Sequence, residues 1–305
     1  MERTVNVEIT ESVIIEPSSL ALDNIVREEY IEVEPNVRLH VTDAGAGKAI
    51  VLLHGWPLSD EMYEYQYADL ISNGFRVISI TLRGFGKSDK PYGKYDYDVH
   101  AKDLKNILCK LQLTDVILGG FSMGGAIAIR YASTDEGAHV SKLALFGAAA
   151  PSWTQREDYP YNIKTEEVDE LIALCNKDRT QLLINFGKIF ASSETALSSG
   201  IADWLYTIGL SASSYATSQC LIALRDTDLR ADLAKIKIPT LIMHGKKDKI
   251  CSFSMAEQMN DALEHSYLVE FEHSGHALFL EETTKFNEEL VKFATSAWIK
   301  NEATT

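Results

Sequence analysis

The chain has 305 residues, 46% of them hydrophobic and 24% charged, enough to bury a sizeable core in one domain or in one domain with an insertion. Its formal net charge of −15 repels nucleic acid and anionic membrane surfaces, so neither is an expected partner. No apolar run approaches the roughly 20 residues that span a bilayer. The opening residues carry acids throughout and lack the basic-then-apolar order of a secretory signal, so the expected location is the cytoplasm.

Residues 1–26 form an N-terminal extension that either adds a strand or lies on the surface. Residues 27–42 (REEYIEVE, PN, VRLHVTD) alternate apolar and polar on both sides of a turn, as a hairpin does. Short apolar runs then alternate with helical patterns: strands are expected over 49–55, 75–84, 115–121, 142–149, 239–245 and 266–272. Helices are expected near 59–72, 96–112, 123–134, 253–263 and 281–297. Unbroken Val/Ile/Leu runs separated by helices predict an α/β architecture, a parallel sheet covered on both faces. From Pro151 to Asp226 the rhythm breaks into helical stretches alone, EEVDELIALCNK and DRTQLLINFGKIFA among them. The core is therefore expected over 27–150 and 227–305, with a helical cap over 151–226 above the carboxyl edge of the sheet. Cys109, Cys175, Cys220 and Cys251 are scattered without metal spacing and read as reduced structural thiols.

The chemistry-bearing stretch is Gly120-Phe121-Ser122-Met123-Gly124, a G-x-S-x-G placed after one predicted strand and before a predicted helix. A strand that turns sharply into a helix puts the serine in a strained conformation, and the two glycines remove the Cβ atoms that would collide there. A serine hydroxyl needs a base, itself held by a third group. Asp248 lies just beyond the strand PTLIMHG and His276 just beyond SYLVEFE, giving the order Ser122, Asp248, His276. Of the 8 histidines, His54 more plausibly braces a loop, and His273 is passed over for His276, whose S-G-H setting suggests an exposed, mobile loop tip. Asp226 and Asp228, at the exit of the cap, look like helix-capping residues rather than the triad acid. H-x-x-H at 273 and 276 has the wrong spacing for a helical zinc pair, so no metal is expected. Oxyanion donors are expected from the N–H of Met123, after the nucleophile, and of Trp56 in His54-Gly55-Trp56-Pro57, where Pro57 has no N–H to offer.

Taken together, HGWP, RGFGKSD (83–89), GFSMGG, HGKKD (244–248) and SGH (274–276) resemble the α/β-hydrolase superfamily, and more narrowly the bacterial arylesterases, or cofactor-free haloperoxidases and perhydrolases. The similarity runs from about residue 28 to 297. It implies a mostly parallel eight-stranded sheet with the cap inserted after strand 6, and no cofactor. It implies Ser122 as nucleophile, His276 as general base and acid, Asp248 as its carboxylate, and Trp56 and Met123 as oxyanion hole. It also suggests a substrate pocket lined by Trp56, Met123, Pro57, Phe186, Phe190, Ile250 and Phe253, with no Arg or Lys in it. The implied reaction is hydrolysis of small to medium carboxylic, especially aryl, esters through an acyl-enzyme. Relatives that make peracids carry proline after this tryptophan, so Pro57 implies perhydrolase side activity. Lactonase, carbon–carbon bond hydrolase and slow-turnover receptor-like readings are the alternatives. Self-association is open, as relatives often form oligomers.

Overall fold

The computed structural model of the protein describes residues 26–296, so the N-terminal extension expected at 1–26 lies almost wholly outside the described residues. β1 (Arg27–Glu34) and β2 (Val37–Gly45) form the expected antiparallel hairpin, turning at Pro35-Asn36 with Asn36 at φ 65°. The apolar runs become β3 (Lys48–Leu53), β4 (Phe75–Ile80), β5 (Val116–Phe121), β6 (Val140–Phe146), β7 (Thr240–Gly245) and β8 (Ser266–Phe271). One eight-stranded sheet results, in the order β1-β2-β4-β3-β5-β6-β7-β8. It is antiparallel at β1-β2 and β2-β4 and parallel from β4 through β3 to β8. β5 and β7 are buried at every position, which requires cover on both faces and explains why their sequences do not alternate.

The cover comes from two groups of helices. α1 (Glu64–Ser72) packs with α10 (Thr283–Thr295). α2 (Tyr97–Lys110) packs on α3 (Met123–Ala132), α3 on α7 (Arg230–Leu233), and α7 on α8 (Phe253–Ala262). Asp96 starts α2 by accepting the Val99 N–H at 2.9 Å, the bond an N-cap residue supplies. The RGFGKSD stretch braces the sheet edge. Arg83 forms a buried two-point pair with Asp103 at 2.6 and 2.7 Å, Ser88 accepts the His40 N–H at 2.8 Å, and Asp89 accepts the Arg38 N–H at 2.7 Å.

Between β6 and β7 lie α4 (Thr165–Phe190), α5 (Ser199–Ser211) and α6 (Ser214–Asp226). α4 is two helices joined at Asp178, whose backbone is non-helical (φ −154°, ψ 78°) and whose carboxylate accepts the Gln181 N–H at 3.0 Å. The sequence divides at the same residue, since the two helical stretches expected there meet at Asp178.

α9 (Leu278–Glu281) and α10 anchor the far end of the sheet through aromatic contacts. Phe286 is fully buried and meets Phe146 at 4.8 Å, Phe271 at 6.4 Å and Phe279 at 6.5 Å between ring centroids. Truncating such a ring removes its burial and leaves a cavity beneath two strands. Phe286→Ala is expected to lower the unfolding free energy by about 3–5 kcal/mol, read as a fall in urea midpoint at unchanged slope.

Candidate active site

Ser122 follows β5 directly and starts α3 at φ 53°, ψ −117°, outside the range an L-residue readily adopts. Its own main chain holds it there. The Ser122 N–H donates to Phe146 O at 2.9 Å, and its carbonyl accepts from Gly125, Ala126 and Ala149 at 3.0–3.2 Å. A Cβ on Gly120 would run into the Gly124 carbonyl, and one on Gly124 into the Leu53 carbonyl, so both glycines are required by close approach.

His276 is fully buried, which corrects the expected exposed loop tip. The cause is the end of α4 folding back over it: Ala277 N–H donates to Phe190 O at 2.9 Å, and the imidazole packs on Phe121 at 4.6 Å and on Phe190 at 5.6 Å. Glu281 fixes the loop by accepting the Gly275 N–H at 2.7 Å. His276 Nδ1 donates to Asp248 Oδ2 at 2.7 Å, leaving Nε2 buried with no hydrogen-bond partner among the described residues. Asp248 Oδ1 accepts the N–H groups of Ile250 and Cys251, both at 2.8 Å. Burial opposes ionisation of Asp248, but the charge of His276 and hydrogen bonds from His244 and His276 outweigh it and hold the carboxyl well below its usual range.

His244 sits behind Asp248, donating from Nε2 to Cys251 O at 2.7 Å, with Asp248 Oδ2 at 3.4 Å. The Cys251 thiol lies beside Ser122, and sequence reading had assigned it no place in the site. Burial and the negative charge of Asp248 push its pKa well up, so it stays protonated and inert as a nucleophile.

Among the described residues, no main-chain turn bond is made by the N–H of Trp56 or of Met123. Trp56 Nε1 donates to Thr217 O at 3.0 Å, tying the loop after β3 to α6. His54 braces that loop as expected: Nδ1 donates to Gly55 O at 2.9 Å and Nε2 accepts the Leu82 N–H at 3.0 Å. The remaining rivals are engaged elsewhere. His273 is exposed, Asp226 pairs with Arg225 at 2.7 Å, and Asp228 accepts the Arg230 N–H at 3.0 Å and pairs with the Arg230 side chain.

A cavity of about 470 Å³ opens at Ser122, with Trp56, Trp153, Phe186, Leu221 and Ile250 among its walls and Glu167 also bordering it. Trp56, Phe186 and Ile250 of the expected pocket border it. Pro57 and Phe190 border a neighbouring cavity instead. Phe253 borders neither; its ring lies against His244 at 6.0 Å and under the Lys246 ammonium at 4.0 Å. The Met123 side chain is buried in the core. Lys249 does border the Ser122 cavity, correcting the expectation of no cation there. Its place between Asp248 and Ile250 was the available signal. Asn162 was also missed: at φ 65° it donates to Trp153 O at 2.8 Å and accepts the Ser252 N–H at 3.1 Å, binding the loop after β6 to that after β7.

Comparison with known proteins agrees with this architecture. The family pattern of the alpha/beta hydrolase fold matches residues 48–283. An AB hydrolase superfamily protein, YisY of Bacillus subtilis (strain 168), is 48% identical over 88% of this chain and 99% of its own. The solved esterase EaEST of Exiguobacterium antarcticum superposes with a TM-score of 0.85 at 45% identity, over 88% of this chain and 99% of its own. A bromoperoxidase of Bacillus anthracis superposes with a TM-score of 0.86 at 33% identity, over 88% of this chain and 100% of its own. The chain belongs to the α/β-hydrolase superfamily. Within it, it falls in the branch that holds esterases and non-heme haloperoxidases. Among the described residues, no helix is long and apolar enough to cross a membrane.

The bonding of His54 fixes its charge. A backbone N–H donates only to an unprotonated Nε2, and burial pushes the ring's pKa down to about 4, against partial opposition from the Gly55 carbonyl and Asp60. With its folded pKa below the unfolded value of about 6.5, the unfolded chain binds the extra proton. The stability His54 contributes is complete above about pH 6.5 and is lost as pH falls towards 4. Denaturant titrations across that window should show a slope smaller by about 1.4 kcal/mol per pH unit in His54→Asn than in the parent.

Proposed function

We propose that the protein is a serine carboxylic-ester hydrolase acting through an acyl-enzyme, with Ser122, His276 and Asp248 as its triad. The single observation that carries this reading is His276. Nδ1 is committed to a buried carboxylate, and Nε2 is the unengaged nitrogen, buried in the neighbourhood of a serine held at a strand-to-helix elbow. In this reading Ser122 Oγ attacks the ester carbonyl while His276 Nε2 takes its proton, and Asp248 stabilises the imidazolium that forms. The negative charge on the former carbonyl oxygen is met by the N–H groups of Met123, at the start of α3, and Trp56. Collapse of the tetrahedral intermediate breaks the ester C–O bond, and His276 returns the proton to the departing alkoxide. Water, deprotonated by the same nitrogen, then releases the acid and restores Ser122.

The segment 151–226 acts as a cap over this site. Its apolar wall of Trp153, Phe186 and Leu221 favours small to medium apolar acyl or aryl groups. Hydrogen peroxide in place of water at the second step would release a peracid, with Pro57 placing the loop that carries the Trp56 donor. The free thiols Cys109, Cys175, Cys220 and Cys251 favour a cytoplasmic setting.

With p-nitrophenyl acetate, Ser122→Ala should cut kcat by on the order of 10⁴-fold or more, and Ser122→Ala/His276→Ala should be no worse than either single change, because the two act as a unit. Full activity in Ser122→Ala would sink the reading. Separately, Pro57→Leu is expected to lower peracid formation from acetate and peroxide relative to ester hydrolysis; an unchanged ratio would remove Pro57 as the determinant.

A further inference from the structure

Helix α4 runs between two cavities. Leu182, Asn185, Phe186 and Ile189 face the one that opens at Ser122. Leu183, Gly187 and Phe190 face a second, of about 410 Å³, bounded on its far side by Leu197, Ala202 and Leu205 and open to solvent where Gly187 and Ala202 are exposed. That size is within the range of ligand-binding pockets, and the lining is mainly apolar. Its charged residues, Lys188, Glu194 and Asp203, are all solvent-exposed, so no charge is buried among the apolar walls.

Among the described residues, Phe186 alone borders both cavities. Consecutive residues of the loop after β3 also line the two cavities, Trp56 the first and Pro57 the second. The Phe186 ring lies edge-on to Trp56 at 5.1 Å and tilted against Phe190 at 5.5 Å. Across Phe186 itself the separation is a half-buried side chain, whereas on either side of it the α4 main chain stands between the cavities, and a side chain can change rotamer where a helix cannot shift.

We propose that the second cavity is the distal compartment of the substrate site, taking the far end of an unbranched aliphatic chain of an ester, with the Phe186 ring as the door. The assignment rests on the esterase reading, and extends the substrates from compact acyl groups to linear ones of about eight carbons or more. A chain is favoured over a branched or charged group because rings bound the passage and charges stand only at the solvent side.

The test fills or opens the compartment. Gly187 borders the cavity from mid-helix on its exposed side, with open space where a Cβ would stand, so Gly187→Leu narrows the cavity from that wall and replaces a poor helix former. Ala202→Phe fills it from the opposite wall. Each should lower the ratio of kcat/KM for p-nitrophenyl decanoate over acetate by about tenfold, the worth of roughly two methylenes denied an apolar site. Phe186→Ala should raise that ratio by a similar factor. Binding of 1-decanol to the Ser122→Ala protein, followed by calorimetry, reads the compartment without turnover and should weaken about tenfold when Gly187→Leu is added. An unchanged ratio in both filled variants, or unchanged decanol binding, overturns the compartment. Retained acetate hydrolysis in Ser122→Ala overturns the esterase reading instead, so the two failures are distinguishable.

Discussion

A serine at φ 53° and ψ −117° sits in a conformation that an isolated L-residue avoids, so something must hold it there. Here β6 takes its N–H through Phe146 O, while Gly125, Ala126 and Ala149 take up its carbonyl. Removing the side chains of Gly120 and Gly124 lets α3 press against β5 and the end of β3. The strain is local, and the parallel strands β3 and β5, buried almost throughout, supply the rigidity that sustains it. Everything proposed for the site follows: where the hydroxyl emerges, where the Met123 N–H points, and how near the loop after β3 must pass.

The second constraint is the burial of the His276–Asp248 pair. His276 and Asp248 are both enclosed, so their charges are felt at low dielectric, and an ionised Asp248 needs the two N–H bonds from Ile250 and Cys251 as well as the imidazole. The same environment raises the Cys251 thiol while it favours the Asp248 carboxylate, so the sulfur beside Ser122 stays protonated. Enclosure is completed by Phe190 at the end of α4, so the helical segment between β6 and β7 is part of the surroundings of His276 as well as a wall of the cavity.

Much of this was legible in the residues. The hairpin, the parallel strands and the flanking helices could be read because buried strands appear as unbroken apolar runs, and Asp178 announced the break in α4 by beginning a second helical pattern. The order Ser122, Asp248, His276 was readable because each stands just past a strand end, where the carboxyl edge of the sheet gathers them. The cavity walls were less so. Trp56, Phe186 and Ile250 were anticipated at the Ser122 cavity, whereas Lys249 and Asn162 were not, and Phe253 turned away to His244 and Lys246. A helix shows by periodicity that it has an apolar face, but not which of two cavities that face will border.

The sequence by itself determined the α/β sheet, the elbow at Ser122 and the chain order of the proposed triad, because those depend on local patterning and on turns that only glycine permits. Tertiary structure alone decided that His276 is buried rather than exposed, that Cys251 lies beside Ser122, and that α4 stands between two cavities that both border Phe186. These are set by how a 26-residue kinked helix, distant in sequence from β5 and β8, folds back over their ends, and such long-range packing leaves no periodic trace in the chain.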